Sequence, residues 1–298
     1  MSIIEKAAGK LGGSANTPIP PRQETTPVGT PVGTPRVGAR PAARAESGES
    51  SQFQSINLTR LHRMGGVSPD AEKSQIAEEF RIIKRPLIAN AFGAAGTARV
   101  KNGNLIMVTS SLPGEGKSFC AINLAISMAM EMERTVLLVD ADVAKPRVPE
   151  YLGIHADRGL LDVLQDKSLK LSDVMIRTDI ANLSVLPAGR TYSRATELLA
   201  SSAMTELLED IGNRYADRII LFDSPPILAT SESSVLASHM GQIVMVVEAE
   251  RTSQEAVKEA LSHIQSCEVI GMLLNKSTPT PGADYYYGYY GSYGGYGR

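Results

Sequence analysis

The chain predicts an α/β domain built on a mostly parallel sheet covered by helices on both faces. Short apolar runs alternate with longer segments of helical period over most of its 298 residues. The runs are continuously apolar rather than alternating, as strands are when both sheet faces are covered. The first run also ends in a glycine-rich turn directly ahead of a helical pattern.

Residues 1–50 hold seven of the seventeen prolines, including TPVGTPVGTP at 26–35, and few large apolar side chains. Such a stretch cannot bury enough surface to order itself and reads as a disordered tether. The segment 51–100 is helical. Ile76, Phe80 and Ile83 recur at helical spacing, while Glu78, Arg81 and Arg85 fall on the opposite side. One face packs; the charged face is either solvated or paired with another subunit. Pro86 is expected to end or kink this helix.

From 101 to 283 the strands are NLIMVTS, TVLLVDAD, LSVLPAG, RIILFDS, QIVMVVEA and EVIGMLLNK. Helices start at about Ser118, run around Met204 to Ile211, and connect the last two strands. Residues 284–298 form a tail in which YYYGYYGSYGGYGR carries seven of the ten tyrosines: Tyr285, Tyr286, Tyr287, Tyr289, Tyr290, Tyr293 and Tyr296. With no aliphatic residue and five glycines, it is expected to stay solvent-exposed. Its phenols are then either a weak stacking surface or substrates.

Composition narrows the function classes. Hydrophobic residues make up 43%, enough for a buried core, and 30 Lys plus Arg against 32 Asp plus Glu leave no nucleic-acid footprint. Cys120 and Cys267 lie far apart without metal-ligand spacing and read as reduced, buried thiols of a cytoplasmic protein. No run approaches the roughly twenty apolar residues that span a bilayer, so membrane association is expected only through a partner. The four histidines are isolated and carry no assignment.

The chemistry concentrates after the first strand. SSLPGEGKS, residues 110–118, departs from GxxxxGK[ST] only in having Ser111 at the first position. Gly114 and Gly116 let backbone N–H groups turn inward, the following helix aims its positive end at a phosphate, Lys117 reaches phosphate oxygens and Ser118 suits Mg²⁺. The nucleotide-contacting set is therefore Pro113, Gly114, Glu115, Gly116, Lys117, Ser118 and Phe119. Asp140 and Asp142 end the VDAD strand and Asp223 ends RIILFDS, at the carboxyl edge where open α/β sheets hold ligands. Mg²⁺ usually takes one or two carboxylates. Asp140 and Asp223 are enough, with Ser118, and Asp142 is left either to orient an incoming hydroxyl or to cap a turn.

SSLPGEGKS, VDADVAKPR and LFDSPPIL, followed by a tyrosine-rich end, resemble the bacterial tyrosine autokinases (BY-kinases) over residues 70–298. EEFRIIKRPL, LPAGRTYSRATELLAS and SPPILATSESSVLASHMGQIVMVVEA are similar to the subgroup found with exosortase and exopolysaccharide genes. The resemblance implies a P-loop NTPase of MinD-like type that moves the γ-phosphate of ATP, with Mg²⁺, to C-terminal tyrosines in trans within a ring and so regulates exopolysaccharide polymerisation and export. It implies catalytic roles for Lys117, Asp140, Asp142 and Asp223, a subunit contact through Glu78, Arg81 and Lys84 or Arg85, and an adenine contact at Asn275. It also implies a membrane chain-length determinant as activating partner, a tyrosine phosphatase, and a cytoplasmic chain held peripherally at the inner face of the plasma membrane. Ala144 stands where the family has an arginine, with Lys145 and Arg147 nearby, and Lys84 stands where the contact motif ends in arginine. The competing reading is a MinD- or ParA-like ATPase switch. Such switches carry a second lysine early in the loop, where this chain has Leu112.

Overall fold

The computed structural model describes residues 52–69, 74–93, 98–131, 133–214 and 217–278. The tether at 1–50 and the seven tail tyrosines lie outside them. Eight strands form one sheet: β1 (Gln52–Gln54), β2 (Leu105–Ser110), β3 (Thr135–Asp140), β4 (Ile176–Thr178), β5 (Leu183–Leu186), β6 (Arg218–Asp223), β7 (Gln242–Glu248) and β8 (Ile270–Asn275). Their spatial order is β1-β4-β5-β3-β6-β2-β7-β8. Every pairing is parallel except β4 with β5. The six expected strands are present. β1 and β4 were not legible, because each is three residues long and β1 reads Gln-Phe-Gln.

Side-chain alternation divides each central strand between two cores. Ile106 and Val108 of β2, Val136 and Leu138 of β3, Ile219 and Leu221 of β6, and Val244 and Val246 of β7 face one side. There they meet α1 (Leu58–Arg63), α2 (Gln75–Phe92), α3 (Lys117–Ala129) and α4 (Val148–Leu152). Leu105, Met107, Leu137, Val139, Ile220, Phe222, Ile243 and Met245 face the other side. That side is covered by α5 (Leu160–Gln165), α6 (Leu171–Val174), α7 (Ala195–Leu199), α8 (Ser202–Arg214), α9 (Glu232–Ala237) and α10 (Gln254–Ser262). With helices on both faces the central strands are buried except at end residues such as Thr135, Arg218 and Glu248, hence the unbroken apolar runs.

Helix α3 is buried nearly all round, because it lies between the sheet and α2. Its Ala121, Ala125 and Ala129 are buried in the same core as Phe80 and Leu87 of α2. Helix α2 begins at an N-cap Ser74, whose hydroxyl accepts from Ala77 N at 3.3 Å, and ends at Gly93 with φ 80°.

Pro86 does not end this helix, contrary to expectation; it sits inside an 18-residue span. The carbonyl that loses its donor belongs to Ile82, on the solvent side, where Ile82 is 55% exposed and Pro86 is exposed too. Water can serve that carbonyl, and packing on both sides of the proline keeps the halves together. The buried stripe is Ala77, Phe80, Lys84, Leu87 and Ala91, whereas Ile76 and Ile83 are only partly buried. Lys84 thus falls on the packing face. Its ammonium donates to Ser127 O at 2.6 Å and pairs with Glu131 at 2.7 Å, bolting α2 to the end of α3.

The Lys84 bolt can be tested by chemical unfolding. Lys84→Ala leaves Ser127 O without its donor and should cost about 1–3 kcal/mol, whereas Arg85→Ala, one residue on and exposed, should stay within about 0.5 kcal/mol of the parent.

Candidate active site

The loop from Ser111 to Gly116 leaves the carboxyl end of β2 and turns into α3. Gly114 and Gly116 hold φ of 91° and 98°, which side chains resist. Gly116 has no room either, since an added Cβ would lie 2.1 Å from Asn275 Nδ2. Ser111 is fully buried and has no left-handed backbone, so the variant first position needs no glycine. The loop's carbonyls are tied back. Ser110 Oγ donates to Leu112 O at 2.8 Å, Lys276 Nζ to Gly114 O at 2.7 Å, and Asn275 Nδ2 to Glu115 O at 2.8 Å.

Beside the loop opens a cleft of about 540 Å³. Pro113, Gly114, Gly116, Lys117, Ser118, Phe119 and Asp142 line it, joined by Ala144, Lys145, Arg147, Tyr151, Pro225, Pro226, Ala229 and Thr230. Glu115 and Asn275 do not reach the cleft wall. Glu115 is 2% exposed and accepts from Leu112 N at 2.6 Å, and the Asn275 amide holds the loop from behind.

The three acids gather where the sheet's carboxyl edge meets this loop. Asp140 and Asp223 are opposite each other in the register of β3 and β6, and both are fully buried. Asp140 Oδ2 accepts from Val148 N at 3.0 Å, but Asp140 Oδ1 and both oxygens of Asp223 have no hydrogen-bond donor among the described residues. Asp142, two residues past Asp140, caps a turn, as one of its two sequence readings had it, and also pairs with the loop lysine. Its Oδ1 caps the turn by accepting from Lys145 N at 3.1 Å, and its Oδ2 takes Lys117 Nζ at 2.6 Å. Lys117 lies 3.9 Å from Asp223 Oδ1 and 3.4 Å from Ser118 Oγ.

Burial, then the charge of Asp223, pushes Asp140 well above the usual carboxylate range against the opposing Val148 N–H. Burial likewise raises Asp223 to about 6, with Lys117 and then the Ser118 hydroxyl pulling the other way. Burial would lower Lys117, but Asp223 and Asp142 outweigh it and hold the ammonium above its ordinary value. Buried, donor-less carboxylate oxygens beside a hydroxyl fit a divalent cation that binds through oxygen. Among the described residues no group of three or more His, Cys, Asp or Glu is arranged to hold a metal alone. A cation here would therefore also need Ser118 and oxygens from a ligand or water.

The contact-helix residues lie elsewhere. Glu78 pairs with Arg81 one turn along α2, Arg85 is exposed, and none of the three borders the cleft. Lys84 is spent on α3. At the expected arginine position Ala144 does line the cleft, with Lys145 and Arg147 next to it; Arg147 pairs with Glu150 at 3.0 Å.

Sequence reading passed over one further node. Asp162 on α5, 2% exposed, accepts from Gly159 N at 2.9 Å, Arg190 N at 3.1 Å, Arg190 Nε at 2.7 Å and the Tyr192 hydroxyl at 2.9 Å. It fixes the loop that leaves β5 at the same carboxyl edge. Gly159 is irreplaceable there, since a Cβ would lie 2.0 Å from Pro187 O. The only sequence signal was LPAG followed by an arginine and a tyrosine.

A carboxyl whose folded pKa is raised makes the folded state bind the extra proton. Stability attributable to Asp223 is therefore present below about pH 4 and is lost as pH rises through about 6. Asp223→Asn should make the ligand-free protein more stable at pH 7.5, by on the order of 2–3 kcal/mol before relaxation, and the gain should shrink toward pH 4.5. Unfolding curves at the two pH values check this; an equal gain at both would contradict the raised pKa.

Comparison with known proteins agrees with this geometry. The family model described as AAA domain matches residues 103–276. The chain is 32% identical over 219 residues to the tyrosine-protein kinase YwqD of Bacillus subtilis (strain 168), covering 72% of this chain and 88% of YwqD. With CapB of Staphylococcus aureus identity is 31% over 220 residues, covering 73% of this chain and 92% of CapB. EpsB of Ralstonia nicotianae is 35% identical over 188 residues, but these are 62% of this chain and 24% of EpsB, so the chain spans about a quarter of that relative's length. Among solved structures, the kinase domain of VpsO superposes with a TM-score of 0.55 at 32% identity, covering 69% of this chain and all of that one. The chimeric protein CapA2B2 gives 0.62 at 26% identity, covering 77% and 94%. The family model over residues 103–276 and the match over most of the length of CapB and YwqD, together with a phosphate loop whose lysine stands among three sheet-edge carboxylates, place this chain in the AAA-domain family of P-loop proteins and, within it, among the bacterial tyrosine kinases.

Proposed function

We propose that the chain is a Mg-ATP-dependent tyrosine autokinase that phosphorylates its own C-terminal tyrosines, one subunit acting on the tail of another. The observation that carries this reading is the position of Lys117, held by Asp142 at the mouth of the cleft and by Asp223 below it. Lys117 is charged and lines the cleft together with Gly114 and Gly116, which suits a phosphate. When phosphate oxygens take the ammonium, Asp142 is released inside the cleft, where its carboxylate can accept the proton of an incoming phenol. Phe119 and Tyr151 give the wall aromatic faces against which a tyrosine ring can pack. Transfer then rests on positioning and charge neutralisation.

Ser118, Asp140 and Asp223 are the residues that would hold Mg²⁺, which supplies charge neutralisation on the phosphates when bound. Lys145 and Arg147 put positive charge on the same wall, in place of the arginine that Ala144 replaces. Pro113, Gly114, Gly116 and Phe119 meet the nucleotide directly, and Glu115 offers it only its backbone N–H, while the side chains of Glu115 and Asn275 shape the loop from outside. The tyrosine-rich tail favours kinase over ATPase switch, for which it has no use.

The exposed face of α2, with Glu78, Arg81 and Arg85, is the proposed subunit contact of a ring. Among the described residues no helix is long and apolar enough to cross a membrane. In the proposed arrangement a membrane chain-length determinant recruits the chain to the inner face of the plasma membrane, stimulates it in exopolysaccharide export, and a tyrosine phosphatase resets the tail.

Lys117→Met should abolish phosphotyrosine, read by mass spectrometry of the tail after incubation with Mg-ATP, while the far-ultraviolet spectrum stays unchanged; full phosphorylation would overturn the site. Asp142→Asn should keep Mg-ADP affinity better than Asp140→Asn or Asp223→Asn, and equal losses would deny Asp142 its separate role.

Each phosphotyrosine adds about 1.5 to 2 negative charges to a chain of formal net charge −2. Phosphorylated subunits should therefore dissociate, more so in dilute salt, where charges act beyond the roughly 8 Å of physiological screening. Sedimentation of Lys117→Met against the phosphorylated protein measures this. Identical mass distributions at low and high salt would remove the switch.

A further inference from the structure

Glu115 is a buried carboxylate inside a phosphate loop, yet it faces away from the cleft. Its Oε2 accepts from Leu112 N at 2.6 Å, and its Oε1 accepts from Glu248 N at 3.3 Å and from the Thr252 hydroxyl. One carboxylate therefore spans from the start of the loop to the turn between β7 and α10. A buried anion is tolerated only where donors surround it, and three do here. On the same side Lys276 Nζ bonds both Gly114 O and Glu248 Oε2, the latter at 3.1 Å.

The effect on the loop follows from peptide geometry. In a trans peptide the N–H points opposite the carbonyl before it. With Gly114 O and Glu115 O tied to Lys276 and Asn275, away from the cleft, the N–H groups of Glu115 and Gly116 are turned the other way, toward it. Glu115 then pins Leu112 at the loop's other end, so the anion-binding shape exists before any anion arrives.

We infer that Glu115 is a positioning residue, acting with Thr252 to hold the phosphate loop pre-formed from outside the cleft. The inference rests on the nucleotide reading of the loop, and it makes nucleotide affinity depend on the β7–α10 turn, which touches no part of the cleft wall. A pre-formed site avoids the ordering cost otherwise subtracted from binding. Losing the clamp should accordingly weaken binding and raise KM for ATP while leaving kcat nearly unchanged, because the bound loop is ordered alike in ground and transition states.

Mg-ADP titration calorimetry of the full chain tests this through Thr252. Thr252→Val should weaken binding by about five- to tenfold, and Thr252→Ser, which keeps the hydroxyl, should return it to within about twofold. Glu115→Gln combined with Thr252→Val should bind no more weakly than Glu115→Gln alone, because both act through one clamp. Losing one of three donors to a buried carboxylate should lower the ligand-free unfolding midpoint of Thr252→Val by only about 2–4 °C, so the variant stays folded. Wild-type affinity in Thr252→Val, failure of the serine to rescue it, or additive losses in the double variant would overturn the inference while leaving the nucleotide site standing. A wild-type chain that does not bind Mg-ADP would overturn both.

Discussion

Two carboxylates buried side by side at the ends of adjacent parallel strands set the terms for the rest of this structure. Asp140 and Asp223 are in register, fully buried, and retain oxygens without donors among the described residues. In a low-dielectric interior such a pair raises its own proton affinity and destabilises the ligand-free fold. Lys117 offsets part of that cost, which explains why the phosphate-loop lysine leans toward Asp142 and Asp223. Strain of this kind at a sheet edge is what a site prepared for a cation and a polyanion looks like when its stability is exchanged for function.

The parts that hold this edge in place lie outside it. Helix α3 must begin at the loop and run beneath α2, and it is fixed at the far end by Lys84 of α2 on Ser127 O and Glu131. Gln242 at the start of β7 ties Leu87 O and Gly103 O, at 3.0 and 2.6 Å, so the end of α2 is fastened to the sheet as well. The loop is thus a short irregular segment between two rigid elements, β2 and α3, braced from behind by the ends of β7 and β8. Segment 51–100 and the strands that follow share one apolar core, with Phe80, Leu87 and Ala91 packed among the same residues as Ile122 and Val244.

Departures from the family pattern read as local substitutions within an intact geometry. Ala144 keeps its place on the cleft wall while Lys145 and Arg147 supply charge beside it. Lys84, where the resemblance led to the expectation of an arginine, takes on a packing role through Ser127 O and Glu131, and an ammonium and a forked guanidinium are not interchangeable there. Relatives as different in length as EpsB and CapB match 62% and 73% of this chain.

The sequence by itself determined the six main strands, the parallel sheet covered on both faces, the phosphate loop and the three acids, because each is written locally. Continuous apolar runs encode double-sided burial, Gly114 and Gly116 encode left-handed turns, and an aspartate ending an apolar run must emerge at a strand's carboxyl end. Only the tertiary structure decided what depends on residues far apart in the chain. Pro86 stays inside a helix because distant packing holds both sides. Lys84, expected from the resemblance alone as a possible subunit-contact residue, belongs to the buried stripe, since a long stem can be buried once a carbonyl of α3 and the Glu131 carboxylate beyond it meet its end. The side chains of Glu115 and Asn275 also bond Thr252 and the loop backbone across separations of 137 and 160 residues. A hydrogen bond of that span has no periodicity or motif to announce it, and exists only after the sheet has brought its strand ends together.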